Sequence, residues 1–286
     1  MNTSLKKLEQ KRKIQKAILY VLLTICAAYT LFPLLFLFVN SFKGQAEIVK
    51  SPISLPKKWS FEYLATAWDK VNIVSGLINT LIITVSAVAL IVIISSLAAW
   101  VMVRSKSKFS TILFLGFTSA MLIPFQSVMY PLLSIFENLG LKNTFGLILM
   151  YGGFGLSMSV FLYHGFLKSV PKSLEEAAVI DGANIFQLFF KIVFPLVKST
   201  TVTVIILNSM WIWNDYLLPF LVIGNNNTGR TLTLELYFAK MQSGQFGNPW
   251  ELIFPAVFIA MIPIIVLFLF LQKHIVRGVA DGAVKG

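Results

Sequence analysis

The chain has 286 residues, 57% of them hydrophobic and 13% charged, with a formal net charge of +12. So little charge excludes a soluble globule, in which about a quarter of the residues are charged, and 25 phenylalanines exclude disorder, which is poor in aromatics. The lone Cys26 excludes a disulfide framework and a cysteine-built metal site, which leaves a polytopic membrane protein.

Residues 1–16 form a basic tail carrying Lys6, Lys7, Lys11, Arg12, Lys13 and Lys16. The apolar run 17–40 is longer than a signal-peptide core and passes Pro33 without a small-residue cleavage site. It predicts a retained span followed by an external loop, together occupying 17–76. Runs at 77–103, 109–135, 145–167, 200–223 and 250–272 predict five more spans, none containing Lys or Arg. Long unalternating runs are helices rather than barrel strands. The expected fold is therefore an all-α polytopic bundle of six transmembrane helices, with a five-helix core at 77–272 and a tail at 273–286. Six spans put both termini on one side, which holds 16 Lys/Arg in 67 residues against 8 in 71 opposite. By the positive-inside rule that side is cytoplasmic. Charge spread along a membrane face, without a basic patch interleaved with aromatics, excludes nucleic acid.

No Gly-Lys-Ser/Thr occurs, so the chain has no P-loop for ATP. His164 and His274 are far apart and no His-Glu-x-x-His or Gly-x-Ser-x-Gly exists, so no catalytic metal set or nucleophile is visible. The composition describes a conduit.

Between spans four and five, Ser173 and Glu176 have capping-box spacing and predict a helix from Leu174, ended at Gly182 by a left-handed residue. Asn184 is placed to cap a second stretch that stops near Pro195. An acidic helix with small Ala177 and Ala178 lacks the bulky apolar and basic faces of a bilayer-surface helix. It suits a groove in another protein.

The string Glu176-Ala177-Ala178-x-x-x-Gly182, followed by Ile192-x-Phe194-Pro195, resembles the EAA loop of ABC-type import permeases, whose pattern ends Ile-x-Leu-Pro. Glu-Ala-Ala-x-Ile-Asp-Gly-Ala at 176–183, Trp213-Asn214-Asp215-Tyr216, Gly244-Gln245-Phe246-Gly247 and the ending 278–286 are similar to the maltose-type subunit of the carbohydrate-import branch. The resemblance implies that Glu175, Glu176, Ala177, Ala178, Asp181, Gly182 and Ala183 contact a separate ATPase, within a coupling loop at about 170–195. It also implies a second, non-identical permease subunit, two ATPase subunits that carry the ATP and Mg, an extracellular solute-binding protein, and a sugar as cargo. The chain itself would hold no cofactor and sit in a bacterial cell membrane. Gly244, Gln245, Phe246 and Gly247 would face the binding protein.

Within the membrane, Asn208, Asn214 and Asp215 admit two readings, a polar lining of the translocation path or hydrogen bonds between helices. Trp211 precedes Asp215 by four residues on the same predicted helix face. Tyr151 and Phe154, beside glycines 152, 153 and 155, are likewise candidates for stacking on a sugar or for packing. An ion-driven carrier is the alternative, with Asp215 alone to support it; an integral-membrane enzyme lacks an acid/base set.

Overall fold

The structure, a computed structural model, describes the backbone of residues 2–105, 107–224, 226, 228–241 and 247–283, and their side chains except at 2–9, 271 and 273–283. All regular elements among the described residues are helices. They group into two compact units, residues 1–71 with 239–259 and residues 72–238 with 260–286.

The first unit is built on α1 (Asn2–Asn40), α2 (Gln45–Lys50), α3 (Glu62–Lys70) and the start of α14 (Trp250–Ala283). Phe38, Phe42, Trp59 and Phe61 pack edge-on or tilted, with centroids 5.1–6.1 Å apart. Beside them Lys43 is fully buried, its Nζ donating to the carbonyls of Ser51 (3.1 Å) and Pro52 (3.2 Å). Burial pushes its pKa down. Carbonyl acceptors compensate an ammonium that would otherwise be costly to desolvate, so this segment is an ordered fold rather than a slack connector. By contrast, the most apolar part of Gln10–Asn40 has no buried residue.

In the second unit α4 (Ile73–Arg104) and α7 (Thr144–Leu167) form the central pair. Small residues set their approach. A Cβ at Gly152 would strike Leu90, and one at Gly155 would strike Ile91 and Asn208. Thr80, Ser95 and Ser96 are buried on α4, and each hydroxyl donates to the carbonyl four residues back, which satisfies these three donors in an apolar core.

Among the described residues, four helices are long and apolar enough to cross a bilayer, and the count reaches six if each of two bent pairs is one span. The expected continuous helix at 109–135 is instead α5 (Lys108–Ala120) and α6 (Phe125–Asn138), turned through 106°. Pro124 supplies the reason: it lacks an N–H and forces the preceding residue out of the helical region, and its own ψ is 140°. The expected helix at 200–223 also breaks, into α11 (Lys198–Asn214) and α12 (Leu217–Ile223), because Asp215 is extended at ψ 132°.

Candidate functional site

Two regions concentrate the candidate residues, both within the second unit. The first is α8 (Ser173–Ile180), eight residues or about 12 Å long. It starts one residue before the expected Leu174 and carries no capping box. The N–H groups of Glu175 and Glu176 already bond to the Lys172 carbonyl, so Ser173 is inside the helix and has no free N–H to cap. Glu176 pairs instead with Lys172 at 3.3 Å on the exposed face.

The helix ends as its sequence predicts. Gly182 has φ +83°, and the Ala183 N–H returns to the Ala178 carbonyl, the six-to-one bond of a glycine-terminated helix. Asn184 and Gln187 exchange side-chain and backbone bonds at the start of α9 (Ile185–Gln187). A π-helical turn then spans Leu188–Val193 before α10 (Phe194–Leu196). Pro195 cannot continue the hydrogen-bond ladder, and the chain bends 76° into α11.

On α8 and in the turn that ends it, Glu176, Ala177, Asp181 and Gly182 are exposed, and Ala178 and Ala183 are half-buried. Around them stand bare apolar side chains: Val179, Ile180 (84% exposed), Ile185 and Phe186 (73%). Such a cluster costs free energy in water and marks a surface that another molecule covers. Glu175 differs from its neighbours. It is 6% exposed and points inward, towards Trp100 and Arg104 of α4.

The second region is a cavity of about 730 Å³ between α5, α6, α7 and α11. Phe154, Asn208 and Trp211 line it, and Phe125 meets Phe154 edge-on at 5.3 Å. Gly153 also lines it, with nothing within 4 Å of an added Cβ. Asn208 is held in place by donating to Ser159 Oγ (3.1 Å) and the Val204 carbonyl (2.9 Å).

Tyr151 lies behind this wall. It is fully buried, edge-on to Trp211 at 5.3 Å, and its hydroxyl donates to Asp215 Oδ2 (2.9 Å). The other oxygen of Asp215 accepts the Leu217 N–H (2.9 Å), and its backbone carbonyl accepts from Thr233 (2.7 Å). Asp215 thus fastens the α11–α12 break rather than sitting mid-helix. Asn214 is exposed and returns its amide to the Met210 carbonyl. Part of the cavity wall escaped the sequence reading: Phe125, Val128, Leu132 and Phe136 on α6. Their i, i+3, i+7, i+11 spacing directly after Pro124 is the pattern that marks such a face.

Beyond α12 lies α13 (Leu232–Met241), whose Leu232 and Leu234 are buried. The Leu232 N–H donates to Thr80, and Arg230 stacks on Phe238 at 4.1 Å. Glu235 is buried here, and desolvation raises its pKa despite Arg230 at 3.8 Å. Gly247 has φ +89°, while Gly244, Gln245 and Phe246 lie outside the described residues.

Comparison with known proteins places this architecture. Over 276 residues the chain is 41% identical to the probable starch degradation products transport system permease protein AmyC of Thermoanaerobacterium thermosulfurigenes, covering 96% of this chain and 99% of that relative. It is 34% identical over 282 residues to the multiple sugar-binding transport system permease protein MsmG of Streptococcus mutans, covering 97% and 100%. It is 35% identical over 274 residues to the melibiose/raffinose/stachyose import permease protein MelC of Bacillus subtilis, covering 94% and 96%. A bacterial ABC transporter involved in the import of the acidic polysaccharide alginate shares the fold, with a TM-score of 0.79 over 92% of this chain and 97% of that one, at 21% identity. Residues 65–281 match the family described as binding-protein-dependent transport system inner membrane component, and the chain belongs to that family of ABC importer permeases.

Proposed function

We propose that this chain is one of two membrane subunits of a bacterial ABC importer for oligosaccharides, and that α8 is the lever seated in an ATPase subunit. One observation carries the reading: a short helix ended by Gly182, with small and acidic residues exposed, ringed by Val179, Ile180, Ile185 and Phe186 in the open. Alanines allow close approach, the apolar ring supplies buried area, and Glu176 supplies a charge-assisted bond.

In this reading the bent pairs each count as one span, giving six, with both termini cytoplasmic as the Lys/Arg asymmetry directs. Residues 1–16 and 273–286 are cytoplasmic tails, 17–76 a first span with an external segment, and 77–272 the transport core. A second, similar permease completes the path, and two ATPases hold the ATP and Mg. ATP binding closes the ATPases, α8 moves with them, and the path opens outward beneath an extracellular binding protein that contacts 244–247. The cavity beside Phe154 and Trp211 forms this chain's share of the path. Its aromatic rings suit the C–H faces of a sugar. A saccharide is the favoured cargo because the three relatives named above carry starch products, multiple sugars or melibiose-type oligosaccharides in their names.

The test uses Glu176→Lys and Gly182→Val. The first inverts an exposed charge. The second forces a branched residue into a left-handed conformation, costing about 1–2 kcal/mol locally, with no neighbour for its side chain to strike. Both are expected to insert normally, yet lose at least tenfold in maltotriose uptake per ATP hydrolysed. Normal coupled uptake in both variants contradicts the reading.

A further inference from the structure

We propose that Glu175 is a positioning residue: with Arg104 and Trp100 it latches α8 to the end of α4, so that motion received by α8 enters the membrane core through α4. This rests on the reading that α8 docks on an ATPase subunit.

The geometry is a three-point tie. Glu175 Oε1 accepts from Arg104 Nε (2.8 Å) and pairs with Arg104 Nη2 (2.7 Å), while Oε2 accepts from Trp100 Nε1 (3.0 Å). Arg104 Nη2 also donates to the Val170 carbonyl (3.1 Å), in the chain entering α8. Trp100 packs on Phe189 at 5.4 Å, in the π-helical turn after α8. The last turn of α4 therefore holds the segment before α8, the first turn of α8 and the segment beyond it. Two side chains do all three jobs.

Burial separates this pair from an ordinary surface salt bridge. The side chains of Arg104 and Glu175 are 18% and 8% exposed, against 62% and 59% for Lys172 and Glu176. An exposed pair on one helix contributes little and joins nothing else. A buried carboxylate held by a guanidinium fork and an indole N–H is fixed in direction as well as distance, because the fork is planar and its donors are preset. An apolar contact permits α8 to slide along α4, whereas this one sets its register. From α4 the path to the cavity is short: α4 packs on α7 through Gly152 and Gly155, and α7 contributes Gly153 and Phe154 to the cavity wall.

Transmission is distinguishable from docking in the importer assembled with its own partner permease and ATPases in proteoliposomes. In a Cys26→Ser background, Gly153→Cys reports the cavity through its rate of labelling by a small maleimide, with and without ATP and vanadate. With Glu175 and Arg104 intact, nucleotide is expected to change that rate at least threefold. With Glu175→Gln or Arg104→Met the change falls below half of that value while the ATPases still co-purify. The exchange Glu175→Arg with Arg104→Glu recovers at least half of it. An undiminished response in both single variants overturns the latch. So does loss of the ATPases along with the response, which assigns Glu175 to docking, and so does an exchange no better than the single variants. A reporter protein that holds its ATPases without any nucleotide response also overturns it. If the reporter protein with Glu175 and Arg104 intact retains no ATPase, the docking reading itself fails and the latch falls with it.

Discussion

Asp215 directly follows α11, which stops at Asn214, and it lies within the apolar run 200–223. A carboxylate deep in an apolar run is tolerable in two ways, facing water or having its lone pairs filled. Here Tyr151 and the Leu217 N–H take up one oxygen each. Tyr151→Phe removes one charge-assisted bond and is expected to destabilise by about 1.5–3 kcal/mol, read as a fall in melting temperature of the purified subunit in detergent. An unchanged melting temperature with lost transport would move Tyr151 from the scaffold to the path. Gly182 and Asn184 obey strong local rules, a left-handed turn and a cap, and both sit as their sequence indicates. Asp215 was placed on a helix face with Trp211, and the helix stops one residue short of it, at Asn214. Glu175 was grouped by sequence with its neighbours on α8. Its inward turn depends on Trp100 and Arg104, some seventy residues earlier, and no local pattern reports a partner that distant.

At the scale of elements, hydropathy located the apolar segments but not their bends. A run of apolar residues satisfies the bilayer whether it is straight or folded, so 109–135 and 200–223 read as single helices. Pro124 and Asp215 break them, and the first break gives the cavity its second wall. The packing of α4 on α7 was half legible: Tyr151 and Phe154, beside the glycines at 152, 153 and 155, read as candidates for stacking on a sugar or for packing, without saying which. The structure gives close approach at two of the glycines and an open cavity wall at the third. Gly155→Leu therefore overpacks against Ile91 and Asn208 at an expected cost of about 1–3 kcal/mol or more, whereas Gly153→Ala meets nothing and is expected to cost nothing, gaining up to about 1 kcal/mol from helix propensity. Thermal unfolding of the two variants side by side checks this. Equal loss in both would mean that the α4–α7 contact does not decide these positions, and a gain in both would mean that helix propensity does.

For the whole molecule, charge asymmetry and apolar mass pointed to a membrane conduit, and the match over residues 65–281 gives it a family. Among the apolar surfaces that the described chain leaves bare are the length of α1 and the ring around α8. Lipid or a companion permease suffices for the first. The second is small, mixed acidic and apolar, and interrupted by a glycine turn, which fits a protein groove better than headgroups. The account stands or falls on what touches that ring. Cysteine placed at Ala177, on the exposed face of α8 and in a Cys26→Ser background, is the direct probe when the importer is assembled with its ATPases in native membranes. The account predicts a disulfide or short cross-link to an ATPase subunit whose yield changes on adding ATP. Cross-linking confined to lipid-borne reagents, with no ATPase captured in any nucleotide state, would contradict it.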